Sequence, residues 1–478
     1  MSTSTTTTHF EEHETFRNEL SSVAPDGRRR WIYARKPSGR FYRARTVVSW
    51  FLLAFLFLAP FVRVGGLPLM MFNVLDRRFI LFGVLFWPQD FYQVVLIALA
   101  TIVTLALSTA AVGRIWCGWL CPQTIFLEML FRKIEFAIQG SAAQQLRRNN
   151  GPWTADRAWR QGLTMVVFFA LSFLIANTFL AYIIGSDDLW RIVTDPPQQH
   201  LGGLIAITIF SIVFFLVFAR FREQACVLAC PYGRVMSSLI DRHTITVTYD
   251  TGRGEPRSKL RRVTNEPAPR AGDCIDCHQC VTVCPTGIDI RNGIQLECVN
   301  CTACIDACDD VMTRLERPRG LIRLTSHDAV SGGRTQWLTA RVKAYSAVWL
   351  VLVALVGVVL ARRTALDVVV LRQPGTLFAT LPDGAVANFY NVQVFNRSRQ
   401  AQAYDIVVTG PAGATVTPLG IGAHVGAHDL VEGRLLVSIP RSALTGSGTP
   451  LSFEVRVDGQ VVQRLPSSFV GPPNGAGN

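Results

Sequence analysis

The sequence is poor in charge. Only 17% of its 478 residues are Asp, Glu, Lys or Arg, where a soluble globular chain carries about 25%. The charge present leans one way: 47 Lys and Arg stand against 34 Asp and Glu, a formal net charge of +13. With 49% hydrophobic residues and a mean hydropathy of +0.28, global disorder is excluded. A membrane protein with basic edges fits better than a nucleic-acid binder, so no nucleic-acid partner is expected. Nucleotide loops are lacking too. Gly420-Ile421-Gly422 lies among strand patterns with no helix after it, so it is no dinucleotide fingerprint. The polar, Ser/Thr-rich N-terminus lacks the pattern of a cleavable signal peptide, and residues 1–26 read as a disordered tail. After Cys308 there is no cysteine.

Long apolar runs are what the chain has instead. Five uncharged stretches, Thr46–Val62, Phe91–Gly113, Gly162–Ser186, Pro196–Ala219 and Ala344–Ala361, approach or exceed the roughly 20 residues that cross a bilayer. Flanking cations set the expected orientation. Arg28, Arg29, Arg30, Arg35, Lys36, Arg40, Arg43 and Arg45 precede the first run, and Arg114, Arg132, Lys133, Arg147, Arg148, Arg157 and Arg160 lie between the second and third. The loop between the third and fourth is net acidic. The N-terminus and residues 220–343 are therefore expected in the cytoplasm, and everything after Ala361 outside, although Arg362 and Arg363 weakly oppose this. The basic run before the first span is expected to touch anionic membrane lipid.

Eight of the twelve cysteines fall in the segment expected in the cytoplasm. Cys274, Cys277, Cys280 and Cys284 are spaced C-x2-C-x2-C-x3-C and followed by Pro285; Cys298, Cys301, Cys304 and Cys308 repeat the spacing and are followed by Asp309. This is the run of bacterial two-cluster ferredoxins, in which the fourth cysteine ligates the other cluster. Cluster one is thus assigned to Cys274, Cys277, Cys280 and Cys308, and cluster two to Cys298, Cys301, Cys304 and Cys284. Zinc is the competing reading of paired C-x2-C units. A reducing compartment argues against disulfides. His278, between two ligands, reads as a packing or potential-tuning residue.

The other four cysteines form a second repeat. Trp116-Cys117-Gly118-Trp119-Leu120-Cys121-Pro122 follows the second span, and Cys226-Val227-Leu228-Ala229-Cys230-Pro231 follows the fourth. Proline suits the first position of a helix, which puts Cys121 and Cys230 at helix N-termini. There, and beside Arg114, Arg222 and Arg234, thiol pKa values are expected to fall. Four soft thiolates suit Cu(I); a redox dithiol pair and buried structural cysteine are the alternatives.

From Leu366 to Val470 short alternating stretches replace apolar runs: Asp367–Leu371, Ala387–Phe395, Asp405–Val408, Arg434–Ile439 and Ser452–Val457. About seven strands in roughly 100 residues read as an immunoglobulin-like sandwich. Asn396-Arg397-Ser398 matches a glycosylation acceptor by chance. The expected layout is a basic tail over 1–45, a four-helix membrane domain over 46–240, a ferredoxin-like domain over 241–343, a fifth membrane helix over 344–361, and an Ig-like β domain over 362–478.

Together these features resemble the CcoG/RdxA/FixG family of cytochrome c oxidase accessory proteins. Arg77-Arg78-Phe79, Leu81-Phe82-Gly83, Phe86-Trp87-Pro88-Gln89-Asp90 and Cys284-Pro285-Thr286-Gly287-Ile288-Asp289-Ile290-Arg291 also look like that family. The resemblance implies a multi-pass protein of the bacterial inner membrane, with its β domain periplasmic. It implies an iron–sulfur cupric reductase that supplies Cu(I) for a C-family haem–copper oxidase. Cys117, Cys121, Cys226 and Cys230 match the family's C-x3-C-P cysteines, with copper as substrate or ligand. Oxidase-assembly factors or a copper transporter, and an unidentified electron donor, are the implied partners. The alternatives are a quinol-dehydrogenase-type conduit to a periplasmic reductase and a non-catalytic assembly scaffold. Relatives of the quinol type generally lack the Ig-like domain.

Overall fold

Asp306, far along the chain, decides where the first long helix begins. Its carboxylate accepts the backbone N–H of Phe41 at 3.2 Å and of Tyr42 at 2.8 Å. These are donors that a helix start leaves without partners. Helix α1 therefore runs Arg40–Leu58, starting six residues before the apolar run and carrying Arg40, Arg43 and Arg45 inside it. It stops short of Pro60, whose ring cannot continue a helix. The computed structural model describes residues 21–24, 26–74, 78–259 and 272–472. Most of the expected N-terminal tail, Arg77, and most of the Pro/Gly-rich C-terminus lie outside the described residues.

Helix α2 spans Phe91–Val112, and a short α3, Ile115–Trp119, follows it. After Pro122 the chain is helical again, in a π-helical stretch Ile125–Phe131 that continues into α4, Arg132–Gln139. Helix α5 is Ala155–Ile184, N-capped by Thr154. The expected acidic loop after it is a helix, Ser186–Thr194, with Asp187 and Asp188 in its first turn, where the helix dipole favours anions. Helix α6, Leu201–Leu216, and α7, Pro231–Val235, follow. Five helical segments, Arg40–Leu58, Pro88–Val112, Ala155–Ile184, Pro197–Phe221 and Ala340–Ala361, are long and apolar enough to cross a membrane.

An aromatic core fixes the helix after the first C-x3-C-P unit against α5 and the end of α6. Phe131 stacks on Phe218 with centroids 4.7 Å apart and meets Phe168 edge-on at 4.9 Å. Leu53, Ile125, Phe126 and Ile175 complete the cluster. Burial of each such side chain contributes about 1.5–3 kcal/mol.

A ferredoxin-like half follows. Strand β1, Thr246–Tyr249, pairs antiparallel with β2, Ile322–Thr325, in the register Thr246↔Thr325 and Tyr249↔Ile322. Between them lie α8, Gln279–Thr282, and α9, Ala303–Arg314. The core they enclose is Val247, Tyr249, Ile290, Ile305, Met312, Leu321 and Ile322, with Phe41, Val281, Val311, Leu315, Leu324 and the cysteines packed against it. Helix α10, Ala340–Ala361, comes next.

The chain divides into two units, the second holding Val358 onward with Arg63–Leu67 and Ile80–Leu85. In the second unit, β3 (Leu366–Arg372), β4 (Val386–Asn396), β5 (Asp405–Thr409), β6 (Thr415–Leu419), β7 (Leu430–Ile439), β8 (Gly448–Val457) and β9 (Gln460–Val470) build two sheets, ordered β6-β7-β4-β3 and β5-β8-β9. Tyr390 pairs across to Leu435 and meets Phe453 of the other sheet edge-on at 5.1 Å. Its hydroxyl donates to the Ser468 carbonyl at 3.0 Å. Strands β6 and β9 join the five quoted stretches to make seven: Thr415–Leu419 and Gln460–Val470 are both mostly exposed. Asn396 is buried, and its amide donates to the carbonyls of Gln400 and Gly426. The side chain belongs to the fold rather than to a modification site.

Candidate iron–sulfur and thiol site

The two cysteine quartets share an unusual backbone. Asp276 and His278 flank Cys277 with φ of 50° and 52°; Asn300 and Thr302 flank Cys301 with φ of 52° and 64°. Left-handed conformation in non-glycine residues costs roughly 1–2 kcal/mol each, and such strain collects at functional sites. Here it curls the same loop twice, and α8 and α9 begin directly after the curls. Asn300 is held by its amide donating to the Val112 carbonyl at 3.3 Å. Arg291, 3% exposed, ties the first loop down: it donates to Asp276 at 2.6 Å and Asp289 at 2.6 Å, and its Nη2 lies 2.9 Å from His278 Nδ1. His278 is thus a packing partner of the loop, and Arg291 the residue that sequence reading missed.

The arrangement fits two iron–sulfur clusters. Cys280, Cys284, Cys298, Cys301 and Cys304 all line one cavity. Cys308, inside α9, lies within electrostatic reach of Cys274 and Cys277, while Cys304 feels Cys301, Cys298, Cys284 and Cys280. The spacing rule, in which the fourth cysteine of each quartet ligates the other cluster, is the basis for dividing the eight between two clusters. Among the described residues no three Cys, His, Asp or Glu side chains converge to hold a single ion. Burial pushes the Cys280, Cys298 and Cys308 thiols up to about 12, so iron must displace protons there. Burial raises Cys301 to about 11, with Arg45 pulling the other way. Of the eight, Cys277 is the exposed one.

The C-x3-C-P units sit beside the second quartet. Cys121 and Cys230 are in the N-cap positions of the short helices starting at Pro122 and Pro231, as the prolines lead one to expect. Cys117 lies in α3, Cys226 in a π-helical turn. The units meet: Cys226 lies within electrostatic reach of Cys121, Cys117 and Cys230. Gly233 makes room for this, because a β-carbon there would fall 2.7 Å from the Cys226 carbonyl oxygen and 2.8 Å from Arg114 Nη2. Arg114, 3% exposed, donates to the Leu296 carbonyl and lies within electrostatic reach of Cys117. It also reaches Cys298 electrostatically.

At Cys117 and Cys226, the members of each pair that do not cap a helix, the thiol pKa rises. Burial pushes Cys117 up despite Arg114, and pushes Cys226 up to about 12. Arg222 does not help, because it is spent on Glu135, donating at 3.0 and 2.7 Å to the two carboxylate oxygens. Nor do the four thiols form a ready single-ion cage; they are neighbours. All twelve cysteines are free thiols.

Comparison with known proteins agrees with this organisation. Residues 221–327 match the 4Fe-4S dicluster domain family, residues 93–139 a 4Fe-4S binding domain, and residues 356–472 the IG-like fold at the C-terminus of FixG. The 93–139 segment holds only Cys117 and Cys121, too few to ligate a cluster alone. Protein RdxA of Cereibacter sphaeroides is 34% identical, covering 89% of this chain and 93% of that protein. Nitrogen fixation protein FixG of Rhizobium meliloti is 31% identical over 82% of each. Protein RdxB of Cereibacter sphaeroides is 32% identical over 89% and 91%. With two iron–sulfur centres, five apolar helices and an Ig-like C-terminal domain, this chain belongs to the RdxA/FixG family of iron–sulfur electron-transfer membrane proteins.

Proposed function

We propose that the protein is a cupric reductase of the bacterial inner membrane that supplies Cu(I) for assembly of a C-family haem–copper cytochrome c oxidase. The observation that carries the reading is the contact between α3 and the second quartet: the Cα face of Gly118 rests on the backbone of Val299 and Cys301. The thiol-bearing segment is therefore packed on the loop that holds Cys301. Bound by the two quartets, iron–sulfur clusters supply one-electron carriage.

The chain's own residues do the rest. Cys117, Cys121, Cys226 and Cys230 offer soft sulfur, which holds Cu(I) in preference to harder ions. Copper is the substrate; one electron converts Cu(II) to Cu(I), which the thiolates then retain. Because the four thiols do not close on one point, a pair from facing units is the proposed ligand set. Arg114 offsets the negative charge of Cys117 as its proton leaves. The flanking cations put the N-terminus and the ferredoxin half in the cytoplasm, and the Ig-like domain in the periplasm, where it docks an assembly factor or copper transporter.

The test is Cu(II) reduction by purified protein with intact clusters, wild type against a variant with the four C-x3-C-P cysteines changed to Ser. Loss of Cu(I) production with unchanged cluster absorbance supports the site. Full retention removes it.

A second reading, quinol feeding an electron conduit, draws on one feature. An apolar cavity between α5 and α6, lined by Phe173, Phe179 and Phe210, carries His200 at its rim. His200 Nε2 lies 3.1 Å from Asp195 Oδ2. Cluster reduction by quinol, abolished by His200→Leu, would favour it.

A further inference from the structure

We propose that the cleft beside Cys277 is the docking site of the electron donor, and that the donor is a small acidic one-electron carrier protein. The cleft is lined by Arg35, Lys36, Gln279, Asp310 and Arg314 around Cys277. Cys277 is the one exposed thiol of the eight in the two quartets. It is the point where a partner's redox centre can come nearest to the first quartet.

The charge around it is lopsided. The nearby carboxylates are occupied within the protein. Asp276 and Asp289 pair with Arg291. Asp310 pairs with Arg314. Asp309 accepts the Gly320 N–H at 2.9 Å and lies 3.7 Å from Arg40. Arg35 and Lys36 are exposed and, among the described residues, pair with no carboxylate. Arg35 instead donates to the neutral Gln279 amide oxygen at 2.7 Å, and its backbone N–H donates to Thr282 at 2.7 Å. Those two bonds lay the N-terminal segment against α8, so the surplus positive charge is held at the rim beside Cys277. Fixed charge of one sign at a cleft steers a partner of the other sign and raises its association rate about 10- to 1,000-fold.

Anionic lipid would also answer to Arg35 and Lys36. It has no use for an exposed cluster ligand in the same cleft, and this favours a redox protein. The transfer is balanced: the carrier loses one electron, the first cluster gains it, and no bond is made or broken. The proposal concerns how the electron enters and is independent of whether copper receives it.

The experiment uses detergent-solubilised holoprotein and an acidic flavodoxin as probe. Binding of oxidised flavodoxin is measured calorimetrically, and cluster reduction by its fully reduced form is followed by stopped flow. Wild type, Arg35→Glu/Lys36→Glu and Arg35→Gln/Lys36→Gln are compared at low salt and at about 0.15 M salt, where the screening length is about 8 Å. Visible and EPR spectra confirm equal cluster content. The expected result is binding and second-order reduction at least about tenfold weaker in the charge-reversed protein, intermediate in the neutralised one, and falling with salt in wild type. The extent of reduction by excess dithionite should not change. Rates equal in all three proteins overturn the proposal. So does a result in which the variants lose binding only to vesicles of anionic phospholipid, because the two cations would then serve the membrane.

Discussion

Gly118 and Cys301 touch backbone to backbone: a β-carbon on Gly118 would lie 2.9 Å from the Cys301 Cα and nitrogen, and 2.5 Å from the Val299 carbonyl oxygen. Neither neighbour is a flexible side chain that can step aside. Gly118→Ala should therefore push α3 off the loop, at a cost of about 1–3 kcal/mol. The damage should be directional, lowering iron occupancy of the second cluster before the first. Iron content and EPR of the reduced protein measure it. Wild-type occupancy and thermal stability in Gly118→Ala would refute the contact.

Arg114 stands between two sulfur centres, in electrostatic reach of both Cys117 and Cys298. A buried cation favours the more negative, reduced state of a nearby centre. For a charge on the order of 8 Å away at an effective dielectric of about 20, the interaction is about 2 kcal/mol, or about 90 mV for one electron. Arg114→Gln should lower the potential of the second cluster by tens of millivolts, and Arg114→Lys should restore much of it. Redox titration followed by EPR checks this, and an unmoved potential in Arg114→Gln contradicts it.

How much of this was legible in the sequence depends on range. The quartets and the C-x3-C-P units are local spacings, and the prolines after Cys121 and Cys230 announce the helix starts found there. The assignment of Cys308 to the first cluster rests on the ferredoxin spacing alone. The Gly118–Cys301 contact joins residues far apart in the chain, and nothing in Trp116–Pro122 signals it. Flank charges were legible as a sum and not as partners. Arg29 lies 3.0 Å from Glu223, and Arg45 is 2% exposed, so part of the basic run is structural rather than solvated. Asp306 likewise extends α1 through three arginines by a contact that composition does not encode.

The Arg222–Glu135 pair joins the segment after α6 to α4, with both side chains under 10% exposed. Removing one partner strands a buried charge, which costs about 3–5 kcal/mol, whereas replacing both by apolar groups is often near neutral. Glu135→Leu should destabilise strongly, and Glu135→Leu/Arg222→Met should recover most of the loss. The pair also has a pH signature. Burial opposes ionisation of Glu135, but Arg222 outweighs it and holds the carboxyl below its usual range. A depressed carboxylate contributes stability above its unfolded pKa of about 4.3 and loses it as pH falls through the folded value. Thermal denaturation of wild type should therefore steepen in acid below about pH 4, with a flatter dependence in the double variant. Equal acid slopes would count against the pair.

Iron removal should separate the two units of the chain. The ferredoxin-like half has a two-stranded sheet and a core in which Cys274, Cys280, Cys298, Cys304 and Cys308 are interleaved with about a dozen apolar side chains. A core so interleaved with thiols depends on its metal for folding energy. The Ig-like unit keeps its own core of Val392, Val394, Val437, Ile439, Phe453 and Phe469, all fully buried, and contains no cysteine. Anaerobic chelation of iron should lower or abolish one calorimetric transition and leave another at its original temperature. Near-ultraviolet dichroism around Tyr390, packed against Phe453, should persist through chelation. If both transitions moved together, the two units would be one cooperative body. If neither moved, the quartets would be dispensable for folding, and the left-handed loops at Cys277 and Cys301 would be stable without the group they surround.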